Sequence, residues 1–159
     1  MKIAFGADHA GFHLKNHLVS LVRSLGHEVE DFGTFSESSV DYPDFAVLVA
    51  EAVETCRSER GVLICGSGVG MSIAANRFSG VRAVLALTEA QARLARGHND
   101  ANVLCLGARL SGVVLAEDAV RAFLSTAFEG GRHVPRVAKL SSCGVAAARP
   151  DTLPPSRSK

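Results

Sequence analysis

Cys65 sits between an apolar run, Val62-Leu63-Ile64, and a glycine-rich loop, Gly66-Ser67-Gly68-Val69-Gly70. Three glycines in five residues let the backbone bend tightly and turn several N–H groups toward one point. A helix starting there, through Met71-Ser72-Ile73-Ala74-Ala75-Asn76, adds unpaired N–H groups and a partial positive charge. Together they form an anion site with a polarisable sulfur at its rim. Helix N-termini favour thiolate over thiol, so a base or nucleophile beside an oxyanion cradle suits chemistry on a small anionic molecule. Three other readings stay open. The loop as a dinucleotide fingerprint has GxGxG spacing instead of GxGxxG and follows the third strand; Glu89 lies at about the distance of a ribose-binding acid. The loop as a plain strand–helix turn has more glycines than such a turn needs. Cys65 itself could be a core thiol, since free cysteine is among the most buried residue types.

Other polar groups are candidates for the same chemistry. His98 falls in a polar break, Gly97-His98-Asn99-Asp100, and a loop histidine with amide and acid neighbours can give or take a proton. Asp8-His9 follows the first strand, where Asp8 either faces a ligand or caps the next helix. Arg132 and Arg136 are four apart with His133 between, the spacing of a phosphate clamp or of plain solvated charge. Arg109, after the fifth strand, either joins them or pairs with an acid. Cys56 reads as a surface or packing residue, Cys105 as core, and Cys143 as part of an undistinguished tail.

The elements that must position these groups alternate. Lys2 to Gly6, His27 to Phe32, Val62 to Cys65, Val81 to Leu87 and Asn102 to Leu106 read as strands. Leu14, Leu18, Leu21, Val22 and Leu25 form one helical stripe, stopped at Gly26. Pro43 opens a helix running to about Arg57. Thr88 caps a helix through Arg96, and Val114 to Phe128 forms the last long one. Short strands, apolar on both faces and separated by helices, predict a parallel sheet covered on both sides. Ligands of such sheets bind beyond the carboxyl ends of the strands, at a switch in strand order. Asp8-His9, Cys65 to Gly70 and His98-Asn99 are therefore expected at one rim.

The 159 residues suit one domain, and a net charge of +1 gives no reason to expect nucleic acid or an acidic membrane as partner. The chain enters its first strand at once, without a signal-peptide pattern. No apolar run approaches the roughly 18 residues of a membrane helix. Four dispersed cysteines without a CxxC pair argue against a disulfide scaffold or zinc site and fit a reducing cytoplasm.

Several motifs then combine in one order: Phe5-Gly6-Ala7-Asp8-His9-Ala10-Gly11-Phe12, Asp41-Tyr42-Pro43, Cys65 through Asn76, His98-Asn99-Asp100-Ala101-Asn102 and Gly130-Gly131-Arg132-His133. In these the chain resembles the B-type ribose-5-phosphate isomerases, within the sugar-phosphate isomerases that include galactose-6-phosphate isomerase subunits. The resemblance covers 1–140 as one domain and leaves 141–159 as a loose tail. It implies a doubly wound, Rossmann-like α/β fold, a three-layer sandwich around a five-stranded parallel sheet. It implies an aldose–ketose isomerase acting on D-ribose 5-phosphate and D-ribulose 5-phosphate without metal or cofactor. It further implies a homodimer with active sites between subunits, leaving open whether dimers pair into tetramers. Cys65 matches the catalytic base and His98 the ring-opening histidine. Asp8, His9, Gly66, Ser67, Gly68, Val69, Gly70, Asn99, Arg109, Arg132 and Arg136 match substrate-binding positions. Some relatives place a glutamate in the helix after the loop; here Ser72, Ile73 and Ala74 offer no acid. A hexose 6-phosphate isomerase and a non-catalytic sugar-phosphate-binding module are the alternatives, and the second would need no base.

Overall fold

The computed structural model describes residues 1–142. The expected tail, Cys143 included, lies outside the described residues apart from Ser141 and Ser142, which end a helix. Five strands, β1 (Lys2–Ala7), β2 (Glu28–Asp31), β3 (Arg60–Cys65), β4 (Ala83–Leu85) and β5 (Val103–Gly107), form one sheet in the order β2-β1-β3-β5-β4. Every pairing is parallel. The helices are α1 (Phe12–Ser24), α2 (Tyr42–Glu54), α3 (Val69–Ala75), α4 (Glu89–Asn99), α5 (Val113–Ser125) and α6 (Val134–Ser142).

Strand side chains alternate between the two faces. On one face Ile3, Phe5, Val62, Ile64, Leu104 and Leu106 pack with α1, α4 and α5, through residues such as Leu18, Ala92 and Phe123. On the other, Ala4, Leu63, Cys65, Val103 and Cys105 pack with α2 and α3, through Val49 and Met71. This is the expected three-layer sandwich. Each fully buried Leu, Ile or Phe contributes on the order of 1.5–3 kcal/mol.

Element ends differ from the periodicity in places, each for a local reason. The second helix stops at Glu54, short of Arg57, because Cys56 takes a left-handed conformation (φ 57°). β4 is only three residues long; at its open edge the Asn76 amide pairs with both N–H and C=O of Ala83, at 2.9 Å each. α5 ends at Ser125, short of Phe128, where Thr126 turns extended. The basic stretch from Arg132 to Arg136 is ordered as a 3-10 turn, Gly131–His133, leading into α6.

The largest difference concerns His98 and Asn99. They are helical, in the last turn of α4, and not in a loop. Asp100 provides the stop, with φ 48° and an ion pair from Arg96 Nη1 at 2.9 Å.

Candidate active site

β1 lies beside β3, while the chain reaches β2 on one side and β3 on the other, so strand order switches between them. At the carboxyl ends of these strands is a cavity of about 360 Å³ lined by Asp8, Tyr42, Cys65, Gly66, Ser67, Gly70, Arg109 and Leu110. Cys65 ends β3. It is 5% exposed, and its Sγ accepts the Gly68 N–H at 3.1 Å. The sulfur thus combines packing on one side with an amide donor and the cavity on the other. Gly68 is in the left-handed region (φ 77°), and a Cβ there would lie 2.9 Å from the Leu106 carbonyl carbon. Only glycine lets this turn aim its N–H at the sulfur.

The neighbouring groups are fixed by their own bonds. Asp8 Oδ1 accepts the Gly11 N–H at 3.0 Å, so Asp8 both caps the turn after β1 and lines the cavity. The Val40 N–H reaches His9 Nδ1 at 3.3 Å. That donor puts the histidine's own proton on Nε2. Ser67 Oγ accepts the Val69 N–H at 3.3 Å and keeps its hydroxyl hydrogen to donate. The Arg109 side chain lies over Gly66, and the Arg109 backbone N–H donates to the Gly66 carbonyl at 3.0 Å. Cys105, next to Cys65 in the same layer, is fully buried; burial, then the neighbouring Cys65, pushes its thiol far up, and it stays protonated. It is the core residue expected.

His98, Asn99, Arg132 and Arg136 do not join this group within one chain. α4 follows the carboxyl end of β4 and must return to start β5 parallel to it. Asp100 pairs with Arg82 just before β4 at 2.7 Å, and Asn102 accepts the N–H of Gly61 near the start of β3. His98 therefore sits where the strands begin, and Cys65 where β3 ends, with six residues of strand between, roughly 17–20 Å. The expectation of a single rim is corrected accordingly. At the far end, the His98 and His133 rings stack at 4.4 Å and 6°. Glu129 Oε1 is 3.6 Å from His98 Nε2, and Glu129 Oε2 is 3.7 Å from His133 Nε2. Arg132 Nε donates to His133 Nε2 at 3.4 Å. Burial, then the charge of His98, Arg132 and Arg136, holds the His133 imidazole below its usual value, with Glu129 opposing. Asn99 lines a separate cavity of about 370 Å³ with Phe78, Val81 and Leu140.

Residue types alone did not single out Tyr42, Leu110, Glu129 or His133. Tyr42 carried a signal, being the one tyrosine of the chain and part of Asp41-Tyr42-Pro43; its ring lies against Gly70.

The sequence profile described as ribose/galactose isomerase matches residues 3–140. The chain belongs to the ribose/galactose isomerase family. Among ribose/galactose isomerase relatives, the Escherichia coli ribose-5-phosphate isomerase B is 49% identical over 141 residues, 89% of this chain and 95% of that protein. The Clostridium thermocellum ribose-5-phosphate isomerase B structure superposes with a TM-score of 0.88 at 48% identity, covering 89% of this chain and 96% of its own. The Mycoplasma genitalium ribose-5-phosphate isomerase B, solved with bound ribulose 5-phosphate, superposes with a TM-score of 0.87 at 39% identity over 92% of this chain and 97% of its own. The parallel, doubly wound fold is thus that of the family. Among the described residues no helix is long and apolar enough to cross a membrane.

Proposed function

We propose that this isomerase interconverts D-ribose 5-phosphate and D-ribulose 5-phosphate through a cis-enediolate, in a site completed by a second copy of the chain. The observation that carries the reading is Cys65, whose sulfur, under a fixed amide donor, faces a cavity also lined by Asp8, Ser67 and Arg109. The pentose substrate comes from the relatives' chemistry. His98 at the opposite end of the sheet calls for the second copy, because no motion of one compact chain carries it across a strand's length. Val69 and Ile73, four apart on α3 and about half exposed beside the loop, suit a covered apolar surface.

In this scheme His98 of the second copy gives a proton to the ring oxygen of the furanose. The C1–O4 bond breaks, and the C1 hydroxyl passes its proton to the Asp8 carboxylate to become the aldehyde. Asp8 holds a sugar hydroxyl. Cys65 then takes the hydrogen from C2; its electron pair forms C1=C2, and the carbonyl electrons move to O1. Return of that proton to C1, with one proton passed from O2 to O1, yields the ketose. The Ser67 hydroxyl and the unpaired N–H groups at the start of α3 face the developing oxyanion, each worth roughly 3–4 kcal/mol in such a role. Arg109 and the Nε2 proton of His9 from one copy, with Arg132 and Arg136 from the other, hold the phosphate. Asn99 binds the sugar from that second side. Fixing the phosphate holds C2 near the sulfur. No step asks for a metal or redox cofactor.

Proton NMR in deuterated water, with ribose 5-phosphate, allose 6-phosphate and galactose 6-phosphate at equal concentration, tests this. Deuterium should enter the pentose pair, with the fastest turnover on ribose 5-phosphate. Faster turnover of a hexose phosphate would move the assignment to that sugar. Absence of exchange in any of them would mean a binding module without a base.

A further inference from the structure

Glu129 has no part in the scheme above, yet its backbone is tied to the end of α4. Its N–H donates to the Gly97 carbonyl at 3.0 Å, and its carboxylate lies on the bare Cα of Gly97, where a Cβ would come within 2.8 Å of Oε1. Gly97 is buried in the last turn of α4, immediately before His98. The helix thus carries a glycine where the carboxylate must approach. His98 Nε2, Glu129 and His133 Nε2 lie within 4.8 Å of one another, the donor set of a two-histidine, one-carboxylate metal site. Arg132, however, already donates to His133 Nε2 at 3.4 Å, occupying the lone pair a cation would need and placing a guanidinium there. The cluster is built for a proton.

The same bond decides where that proton sits. A donor at Nε2 leaves His133 neutral with its hydrogen on Nδ1. Two imidazolium rings stacked at 4.4 Å would repel, with Arg132 and Arg136 adding positive charge. His133 Nε2 also lies 3.7 Å from Glu129, but as an acceptor from Arg132 it has no hydrogen to offer there, so the Nε2–H that can point at the carboxylate is that of His98, 3.6 Å away. We propose that Glu129 is a positioning residue that keeps the proton of this pair on His98 Nε2, ready for the ring oxygen, with His133 as its neutral stacking partner. This rests on the ring-opening role of His98 proposed above.

The experiment separates ring opening from carbon-proton transfer. Turnover of cyclic ribose 5-phosphate needs both; exchange of the C1 hydrogens of ribulose 5-phosphate, an open-chain ketose, with deuterated water needs only the second. Glu129→Gln should lower kcat/KM for ribose 5-phosphate about tenfold or more, within the range of a mispositioned general acid. It should leave C1 exchange within about twofold and affinity for inorganic phosphate unchanged. Glu129→Asp should recover part of the loss. Gly97→Ala, which pushes the carboxylate away at a helical position that favours alanine, should show the same split. Unchanged ribose 5-phosphate turnover in Glu129→Gln, or equal losses in both reactions, overturns the proposal. His98→Asn distinguishes the two levels: if it too leaves ribose 5-phosphate turnover intact, the ring-opening role itself fails, whereas loss in His98→Asn alone removes only Glu129.

Discussion

Two thiols lie side by side in one layer of this protein, and their surroundings assign them opposite fates. Cys105 is enclosed and held protonated; Cys65 opens on the cavity. Iodoacetamide should therefore leave Cys105 unmodified in the native protein, while bound phosphate slows modification of Cys65; mass spectrometry of the digested protein reads both, and rapid alkylation of Cys105 would contradict the packing. Cys65→Ala should lower exchange of the C2 hydrogen with solvent by roughly 10²–10⁴ with little change in phosphate affinity, and near-normal exchange would place the base elsewhere. His133 gives a prediction about pH. Its imidazole is held below the ordinary value, so between about pH 6.5 and the lower folded value the unfolded chain binds more protons than the folded one. Stability is present above that window and lost as pH falls through it. His133→Phe keeps a stacked ring and removes the titration. Its unfolding free energy in urea should fall less between pH 7 and pH 5 than that of the parent, and equal slopes would contradict the assignment.

At the scale of elements, the strand–loop–helix around Cys65 was legible because its signals agree. An apolar run, close-set glycines and a helical stripe each indicate the same turn, and strand–helix alternation alone indicates a parallel sheet. The end of α4 was not legible. Gly97, His98, Asn99 and Asp100 all have low helix propensity, and two contacts overrule it: Glu129 packs on Gly97 from outside the helix, and Arg96 pairs with Asp100 four residues on. Asp8 and Cys65 could be placed at one rim because each directly follows a strand, while His98 could not, since its end of the sheet depends on where α4 stops. The loop offers a test of its own. Gly68→Ala puts a Cβ against the Leu106 backbone and strains a residue at φ 77°. It should cost about 1–3 kcal/mol of stability, read by thermal unfolding. It should also lower turnover, because the Gly68 N–H leaves the sulfur. Full activity with a native melting temperature would show that the turn tolerates a side chain and that its N–H is dispensable.

For the whole molecule, topology matters more than any single contact. Parallel β–α units return each helix to the end of the sheet where strands begin, so residues at a strand's end and at the following helix's end are kept a strand's length apart. In the proposed function, a site needing both Cys65 and His98 is built across a symmetric pair, each copy giving its sulfur to one site and its histidine, with Asn99, Arg132 and Arg136, to the other. Mixing inactive variants measures this most directly. Cys65→Ala and His98→Asn chains, each inactive alone on ribose 5-phosphate, are unfolded together, refolded at equal amounts and assayed. Half the pairs formed would be hybrids, and each hybrid would hold one site with both native groups, so activity should return to about a quarter of the parent value. If the mixture stays as inactive as its components while hybrid pairs are shown to form, the sulfur and the histidine do not meet across two chains, and the account is wrong.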